Sequence, residues 1–221
     1  MYSDFMAHRP YSDKIWFSPR YVIQEWANIE RSGDKKKIKR AREAWVCAVA
    51  MTCHSKVEPT EWWIQVPRND PPDLLAMKLV PHIDGLGNTM EQLQVEVFEI
   101  SEYDNEDIEK SIERKLGEKD YSGMTLIAFV RRKQVFEHEK VATYIQNLKP
   151  KALAIFLVAN EELSGTNFSF VGVFPGSFKY KCDWGAMCKA SKQNDFTTAT
   201  RGTKVSEKIT DYTIDTMTLL P

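Results

Sequence analysis

The segment from about Asp34 to Ser55 constrains the fold most, because it combines helical spacing with an almost complete apolar circumference. Residues that recur with helical spacing are Ile38, Ala41, Trp45, Ala48, Val49 and Thr52. Between Ala44 and Cys53 apolar residues lie nearly all round the helix, which indicates burial on every side. The sequence therefore predicts a long helix at the centre of the protein.

Strand-like runs follow the central helix and then alternate with helices. The predicted strands lie at 62–66, 74–80, 93–100, 124–130, 153–158 and 168–174. The other predicted helices lie at 19–30, 104–116 and 137–148. Three strands in succession favour hairpin neighbours, whereas a strand–helix–strand step favours a parallel crossover. This order predicts the α/β class with an α+β tendency, built as a mixed central β-sheet flanked by helices.

Local signals define the ends of two helices. Ser18 is a predicted N-cap, with Pro19 at the first helical position. Asp104 is predicted to cap the helix at 104–116, and Gly117 is predicted to end it. Residues from about 177 onward are polar and rich in threonine, and their pattern assigns no element.

The length of the chain is typical of one domain. Its 221 residues carry 30 basic and 31 acidic side chains, and we predict a single domain over residues 1–221. The predicted core covers about 35–175. An N-terminal helical extension is expected at 1–33 and a C-terminal extension at 177–221.

Several classes of protein lack support in the sequence. No apolar run approaches the roughly 18 residues of a membrane span, and the first residues have no apolar centre typical of a signal peptide. We therefore expect an intracellular protein without membrane contact, cytoplasmic or, in a eukaryotic or viral setting, nuclear. The sequence also has no glycine-rich phosphate loop, which disfavours a doubly wound nucleotide-binding fold and a small-molecule-sensing domain.

The four cysteines form two pairs along the sequence, Cys47 with Cys53 and Cys182 with Cys188. Neither spacing is typical of a zinc site. On one helix Cys47 and Cys53 point about 240° apart, so they cannot share a metal there. We predict reduced thiols in the core, with a disulfide between Cys182 and Cys188 as the open alternative.

Two carboxylates stand at the start of one predicted strand and in the middle of the next. Asp73 follows two prolines, and Glu96 lies within the run VEVFE. A buried carboxylate among apolar residues is costly, so Glu96 predicts a partner or a metal, unless its strand face is solvated at a sheet edge. The alternative role of Asp73 is to cap a turn.

The pattern Pro72-Asp73, a strand and Glu96, placed after a helix and before a helix–strand step, resembles the PD-(D/E)XK nuclease superfamily over about 35–160. The resemblance implies a restriction-endonuclease-like core and an endonuclease that depends on Mg²⁺ or Mn²⁺. Asp73 and Glu96 would hold the metal, because Mg²⁺ favours carboxylates together with water and substrate phosphate. The cap-snatching endonuclease domains of segmented negative-strand RNA viruses share this plan and match it more weakly.

The lysine of the superfamily motif would stand two residues after Glu96, where this chain has Phe98. The two side chains share one face of the strand, but phenylalanine supplies no charge. On the next helix Lys115 lies within about 20° of the inward-facing Ile108, whereas Lys110 lies on the far side. Lys115 is therefore the predicted catalytic lysine, and a lysine extended along the surface of an amphipathic helix is the alternative.

The resemblance also implies an acidic residue on the central helix. Glu43 is the candidate, in a second stripe with Cys47, Ala50 and His54. His54 is more typical of a partly exposed histidine at a helix end than of a metal ligand. Glu43 is therefore predicted as a further catalytic residue.

A run of cations begins the central helix and predicts contact with nucleic-acid phosphates. The run is Lys35-Lys36-Lys37-Ile38-Lys39-Arg40-Ala41-Arg42, with Lys35, Lys36, Lys37, Lys39 and Arg40 as the candidate contacts. These residues spread around the helix, so a solvated face is the alternative. The predicted partner is DNA or RNA, and a protein partner or a larger complex is the alternative.

Two functions follow from these patterns. The first is a metal-dependent nuclease in which Asp73 and Glu96 hold Mg²⁺ or Mn²⁺. The second is the same fold with a decayed site, which binds nucleic acid or a protein. Phe98 favours the second function unless a lysine from elsewhere replaces the one that the motif lacks.

Overall fold

The computed structural model describes residues 15–30, 35–58, 60–67, 71–81, 88–101, 103, 105–131, 136–160 and 167–199, and the short segments 203–204, 212–213 and 217–218. The helices of these residues are α1 (Pro19–Glu30), α2 (Lys35–His54), α3 (Ile108–Glu118), α4 (His138–Asn147) and α5 (Trp184–Ala190). The strands are β1 (Ile15–Phe17), β2 (Trp62–Gln65), β3 (Leu74–Pro81), β4 (Asn88–Ile100), β5 (Met124–Val130), β6 (Ala154–Asn160), β7 (Asn167–Phe174), β8 (Phe178–Asp183), β9 (Phe196–Ala199), β10 (Thr203–Lys204), β11 (Tyr212–Thr213) and β12 (Met217–Thr218).

These strands form one mixed sheet, and most of them lie in the order β12-β9-β1-β2-β3-β4-β5-β6-β7-β8. The strands β4, β5 and β6 are parallel to one another, because α3 and α4 carry the chain back between them. The strands from β1 to β4 form an antiparallel series, and so do the strands from β6 to β8. The chain therefore has the predicted α/β class with a mixed sheet.

Helices cover both faces of this sheet. The central helix α2 packs against α1, α5 and one face of the sheet, where Val97 and Phe129 contribute to the core. The helices α3 and α4 pack on the other face, with Ile100 and Leu126. All residues of α2 from Val46 to Cys53 are buried, so the predicted central position is confirmed. Among the described residues no helix has the length and apolar character needed to cross a membrane.

The predicted helix ends are right for α1 and wrong for α3. Ser18 Oγ accepts a hydrogen bond from the N–H of Tyr21 at 3.1 Å, which is the predicted cap. Helix α3 begins at Ile108 after Asp107, whereas Asp104 lies outside the described residues. The helix continues through Gly117 to Glu118, so the prediction that this glycine ends it is wrong. Glycine favours a helix end, but packing of the apolar face of α3 against the sheet can override that preference.

Both predicted extensions contribute strands to the same sheet. At the N-terminal end, β1 lies between β2 and β9. At the C-terminal end, β8 pairs with β7, and Asp183 caps α5 by accepting a hydrogen bond from the N–H of Ala186. Sequence analysis missed β8 because most of its residues are exposed or half-buried, so it shows no apolar alternation.

All four cysteines are free and buried. This is the predicted state for thiols in the core. The alternative of a disulfide between Cys182 and Cys188 is not the state found.

A prediction on stability concerns Gly172 in β7, which pairs with Phe178 in β8. A Cβ at position 172 would lie 2.3 Å from Cε1 of the phenylalanine ring, so the ring would have to move. We expect Gly172→Ala to lower the free energy of unfolding by about 1–3 kcal/mol, measured by urea denaturation. The control is Gly176→Ala, where a Cβ meets nothing within 4 Å and the change should stay within about 0.5 kcal/mol. Equal stabilities of the two variants would contradict this prediction.

Candidate active site

A cleft of about 460 Å³ lies beside the C-terminal half of β4. The pairing of β3 with β4 reaches only to Leu74 opposite Val95, so beyond that pair the edge of β4 is open to residues from both faces of the sheet. The cleft is lined by all four residues predicted to be catalytic, Glu43, Asp73, Glu96 and Lys115. The fold thus brings together side chains that come from α2, the start of β3, β4 and α3.

Asp73 is fixed where the pairing of β3 with β4 stops. Its Oδ2 accepts a hydrogen bond of 2.9 Å from the N–H of Val97. Its Oδ1 lies 3.4 Å from Nη1 of Arg40, which also reaches the backbone carbonyl of Asp73. The carboxylate of Asp73 therefore accepts the hydrogen bond that a further residue of β3 would accept from β4. Val97 and Arg40 set its orientation.

Glu96 points toward α3 and has lysine partners. Its Oε1 lies 2.9 Å from Nζ of Lys119 and 3.6 Å from Nζ of Lys115. Its Oε2 is buried and has no hydrogen-bond partner among the described residues. Buried carboxylate oxygens normally have a partner, so this oxygen can accept a hydrogen bond from water or coordinate a cation.

Lys115 points inward, as predicted. Its side chain is 17% exposed, and its Nζ donates a hydrogen bond of 2.7 Å to Oε2 of Glu118 and lies 5.8 Å from the ring centre of Phe98. Burial alone would lower the pKa of Lys115, but the hydrogen bond to Glu118 raises that pKa above its ordinary value. The positive charge of Lys115 therefore lies next to Phe98, which occupies the position of the lysine in the superfamily motif. Lys110 is exposed and donates to Tyr144 instead, as expected for the far side of α3.

Glu43 enters the cleft from α2. Its Oε1 lies 3.5 Å from Nζ of Lys39, and its Oε2 lies 3.6 Å from Nη1 of Arg40. Burial raises the pKa of Glu43 to about 7, the negative charge of Asp73 adds to this rise, and the two cations oppose it. A strongly shifted carboxyl pKa beside a second carboxylate is a feature of functional sites.

The predicted cation cluster divides into different environments. The side chains of Lys35, Lys36 and Lys37 lie outside the part of the chain whose side chains the structure describes. Lys39 is 76% exposed, and its contact with phosphate stays a prediction. Arg40 is 15% exposed and points toward Asp73 and Glu43 rather than outward to solvent.

Two further cations line the cleft: Lys119, which sequence analysis missed, and Arg42, which ends the predicted cation run. Lys119 is the C-cap of α3 and has an extended backbone, so helical spacing from Lys115 does not locate its side chain. Its contact with Glu96 depends on tertiary structure. Arg42 follows Lys39 by one turn on α2, so both lie on the same side of that helix.

The cleft holds two buried carboxylates, Asp73 and Glu96. Among the described residues no group of three or more His, Cys, Asp or Glu side chains is arranged to hold a metal ion. Mg²⁺ commonly uses only one or two carboxylates and completes its coordination with water and phosphate. Asp73 and Glu96 offer such a pair, and Oε2 of Glu96 is a buried acceptor without a partner in the described part of the chain.

Comparison of the chain with protein-family models, with curated proteins and with solved structures finds no match. The relation to the PD-(D/E)XK superfamily therefore stays a prediction. A functional assignment has to come from the residues and the geometry of the cleft.

Proposed function

We propose that this protein is a Mg²⁺- or Mn²⁺-dependent endonuclease of the PD-(D/E)XK type that acts on DNA or RNA inside the cell. One observation carries the proposal: Glu43, Asp73, Glu96 and Lys115 line a single cleft. The order of α2, three antiparallel strands, α3 and the parallel strand β5 around that cleft supports a restriction-endonuclease-like core.

The residues of the cleft would divide the work of phosphodiester hydrolysis. A divalent metal held by Asp73 and Glu96 would neutralise phosphate charge and make a nucleophile from water. Lys115 carries its charge beside Glu96 and can stabilise negative charge on the phosphate from there. Asp73 is oriented in advance by Val97 and Arg40, so little reorganisation is needed on binding. Glu43 has a pKa of about 7 and can take up or release a proton beside Asp73.

A second candidate is a decayed nuclease module that binds nucleic acid or a protein without cleaving it. Two observations favour it: Phe98 stands at the position of the motif lysine, and the described residues contain no group of three metal-ligating side chains. The two candidates differ in whether phosphodiester bonds are broken.

Mn²⁺ is expected to raise the melting temperature of the wild-type protein, because a ligand that binds only the folded state stabilises it. At an Mn²⁺ concentration of about 100 times the Kd, the free energy of unfolding rises by about 2.7 kcal/mol. For a chain of this size the melting temperature then rises by roughly 5–10 °C. Glu96→Gln should remove most of this shift, since it replaces one of the two proposed carboxylate ligands. Glu91→Gln is the matched control, because Glu91 is also on β4 but pairs with Lys78 outside the cleft, and it should keep the shift.

A cleavage assay on single- and double-stranded DNA and RNA then separates the two candidates. A melting temperature that responds to neither Mn²⁺ nor Mg²⁺ would sink the nuclease proposal. A metal-dependent shift that disappears in Glu96→Gln, without cleavage of any substrate, supports the decayed module.

A further inference from the structure

The rim of the cleft on the α2 side carries two arginines that share one carboxylate. Nη1 of Arg42 lies 3.2 Å from Oε2 of Glu99, and Nη1 of Arg131 lies 2.9 Å from Oε1 of the same residue. The side chains of Arg42 and Arg131 are 39% and 48% exposed. These three side chains, which we call the rim trio, combine two positive charges with one negative charge within reach of solvent.

Three elements place the rim trio next to the cleft. Arg42 is on α2, and Glu99 is near the C-terminal end of β4; both line the cleft. Arg131 follows β5, where its N–H donates a hydrogen bond of 2.9 Å to the carbonyl of Ile100. Because β4 and β5 are parallel, their C-terminal ends meet at one edge of the sheet. Glu99 faces α2 whereas Glu96 faces α3, so the trio borders the proposed metal site across β4 without belonging to it.

The chemistry of the rim trio matches a phosphate group. Ion pairs that are open to solvent are weak, so Glu99 can be exchanged for another anion at small cost. A phosphodiester group presents two oxygens, and guanidinium groups bind such pairs of oxygens with parallel hydrogen bonds. Lys39, one turn before Arg42 and largely exposed, extends the same cationic face of α2.

The size of the cleft sets the kind of substrate that can reach it. A volume of about 460 Å³ lies at the lower end of the range for small-ligand sites, roughly 300–1,000 Å³. Such a cleft accommodates about one nucleotide, and a single strand can place a nucleotide there without the cost of unpairing a duplex. A strand with one nucleotide in the cleft therefore continues over the rim.

We propose that Arg42 and Arg131 form a clamp for the sugar–phosphate backbone of a single nucleic-acid strand, and that Glu99 occupies the clamp until a phosphate displaces it. This inference rests on the proposed function, because it assigns the substrate class of the same cleft. Glu99 is a positioning residue that competes with the substrate phosphate for both guanidinium groups. The two arginines contact the phosphate that follows or precedes the nucleotide in the cleft.

The test is fluorescence anisotropy with labelled single-stranded DNA and RNA oligonucleotides, in EDTA so that the strands are not cleaved. Arg42→Ala and Arg131→Ala should each weaken binding by about three- to tenfold and lower the salt dependence by about 0.7 per lost contact. Glu99→Gln should tighten binding by a similar factor, because it keeps the shape of the side chain and removes the negative charge that competes with phosphate. If the rim trio only stabilised the local structure, Glu99→Gln would weaken binding.

The controls keep this inference separate from the proposed function. Arg114→Ala removes an arginine that also pairs with an exposed carboxylate, Glu106 at 3.1 Å, and should bind like the wild type. Where Arg42→Ala does not fold, Arg42→Lys keeps the charge but loses the paired hydrogen bonds, and it should bind more weakly than the wild type. Absence of binding to either strand, or unchanged binding in both arginine variants, would overturn the clamp.

Two further measurements test this inference, one with a duplex and one with Mn²⁺. A blunt duplex that binds as tightly as the single strands would overturn the assignment to a single strand. The Mn²⁺-dependent melting shift depends on Glu96 and on neither arginine, so the clamp and the metal site can fail independently.

Discussion

Lys115→Ala is expected to lower the rate of phosphodiester cleavage by about 10²–10³-fold and to leave the Mn²⁺-dependent melting shift in place. The charged Nζ lies 3.6 Å from Oε1 of Glu96, where it can stabilise negative charge that develops on the phosphate. Removing it leaves the oxygens of Asp73 and Glu96 available to the metal. The measurement is single-turnover cleavage of an oligonucleotide at saturating Mn²⁺, beside the melting curve of the same variant.

Two other lysines serve as comparisons for Lys115. Lys110→Ala is the matched control on the same helix, because Lys110 pairs with Glu113 at 2.7 Å away from the cleft, and its cleavage rate should equal that of the wild type. Lys119 lies closer to Glu96, at 2.9 Å, so Lys119→Ala decides which lysine acts. If cleavage requires Lys119 and does not require Lys115, then Lys119 and not Lys115 is the catalytic lysine.

A compensating substitution makes the test of Lys115 sharper. Phe98 stands at the position of the motif lysine, and the Nζ of Lys115 lies 5.8 Å from its ring centre. Phe98→Lys in the Lys115→Ala background should therefore recover part of the lost rate, since it returns a positive charge to the same side of Glu96. If the double variant binds metal but recovers none of the lost cleavage rate, a lysine at position 98 cannot replace Lys115.

Glu43→Gln is expected to raise the free energy of unfolding above pH 7 by about 1–3 kcal/mol, in the absence of metal. Burial and the charge of Asp73 raise the pKa of Glu43 from 4.5 to about 7. A carboxyl group with a raised folded-state pKa binds its proton more tightly in the folded state. Its contribution to stability is therefore complete below pH 4.5 and is lost as the pH rises through about 7. Glutamine has nearly the size of the protonated acid and carries no charge at any pH.

Urea unfolding of both proteins on either side of this pH range measures the effect. The difference in free energy of unfolding between Glu43→Gln and the wild type should be largest above about pH 7. It should shrink toward zero as the pH falls to 4.5. Glu137→Gln is the control, because Glu137 is an exposed residue paired with Lys140, and its effect should stay within about 0.5 kcal/mol at every pH. A difference between Glu43→Gln and wild type that does not vary with pH would show that Glu43 has an ordinary pKa.

The orientation of single side chains was predictable because it depends on local geometry. The angle between Lys115 and Ile108 around one helix placed the lysine on the inner side, where the structure has it. Strand alternation placed Phe98 on the same face as Glu96, and Phe98 packs with the core beneath α3. Lys119 lies just beyond the end of α3 in extended backbone, so no helical spacing predicted its contact with Glu96.

The partners of these side chains were not predictable in the same way. Arg40 was predicted as a phosphate contact, yet it faces Asp73, which is distant in the sequence. Glu99 is held between Arg42 and Arg131, which lie on different elements. Each of these contacts depends on how elements dock, and no spacing along the chain contains that information.

The sequence by itself determined the α/β class, the central helix and the faces on which Glu96 and Lys115 lie, because the periods of helices and strands are local properties of the chain. Only the tertiary structure decided that the pairing of β3 stops at Leu74 opposite Val95 and leaves the adjoining edge of β4 open. It also decided that residues 15–17 and 196–199 pair as β1 and β9. Both features depend on pairing between distant segments, and the cleft lies where the first of these pairings stops.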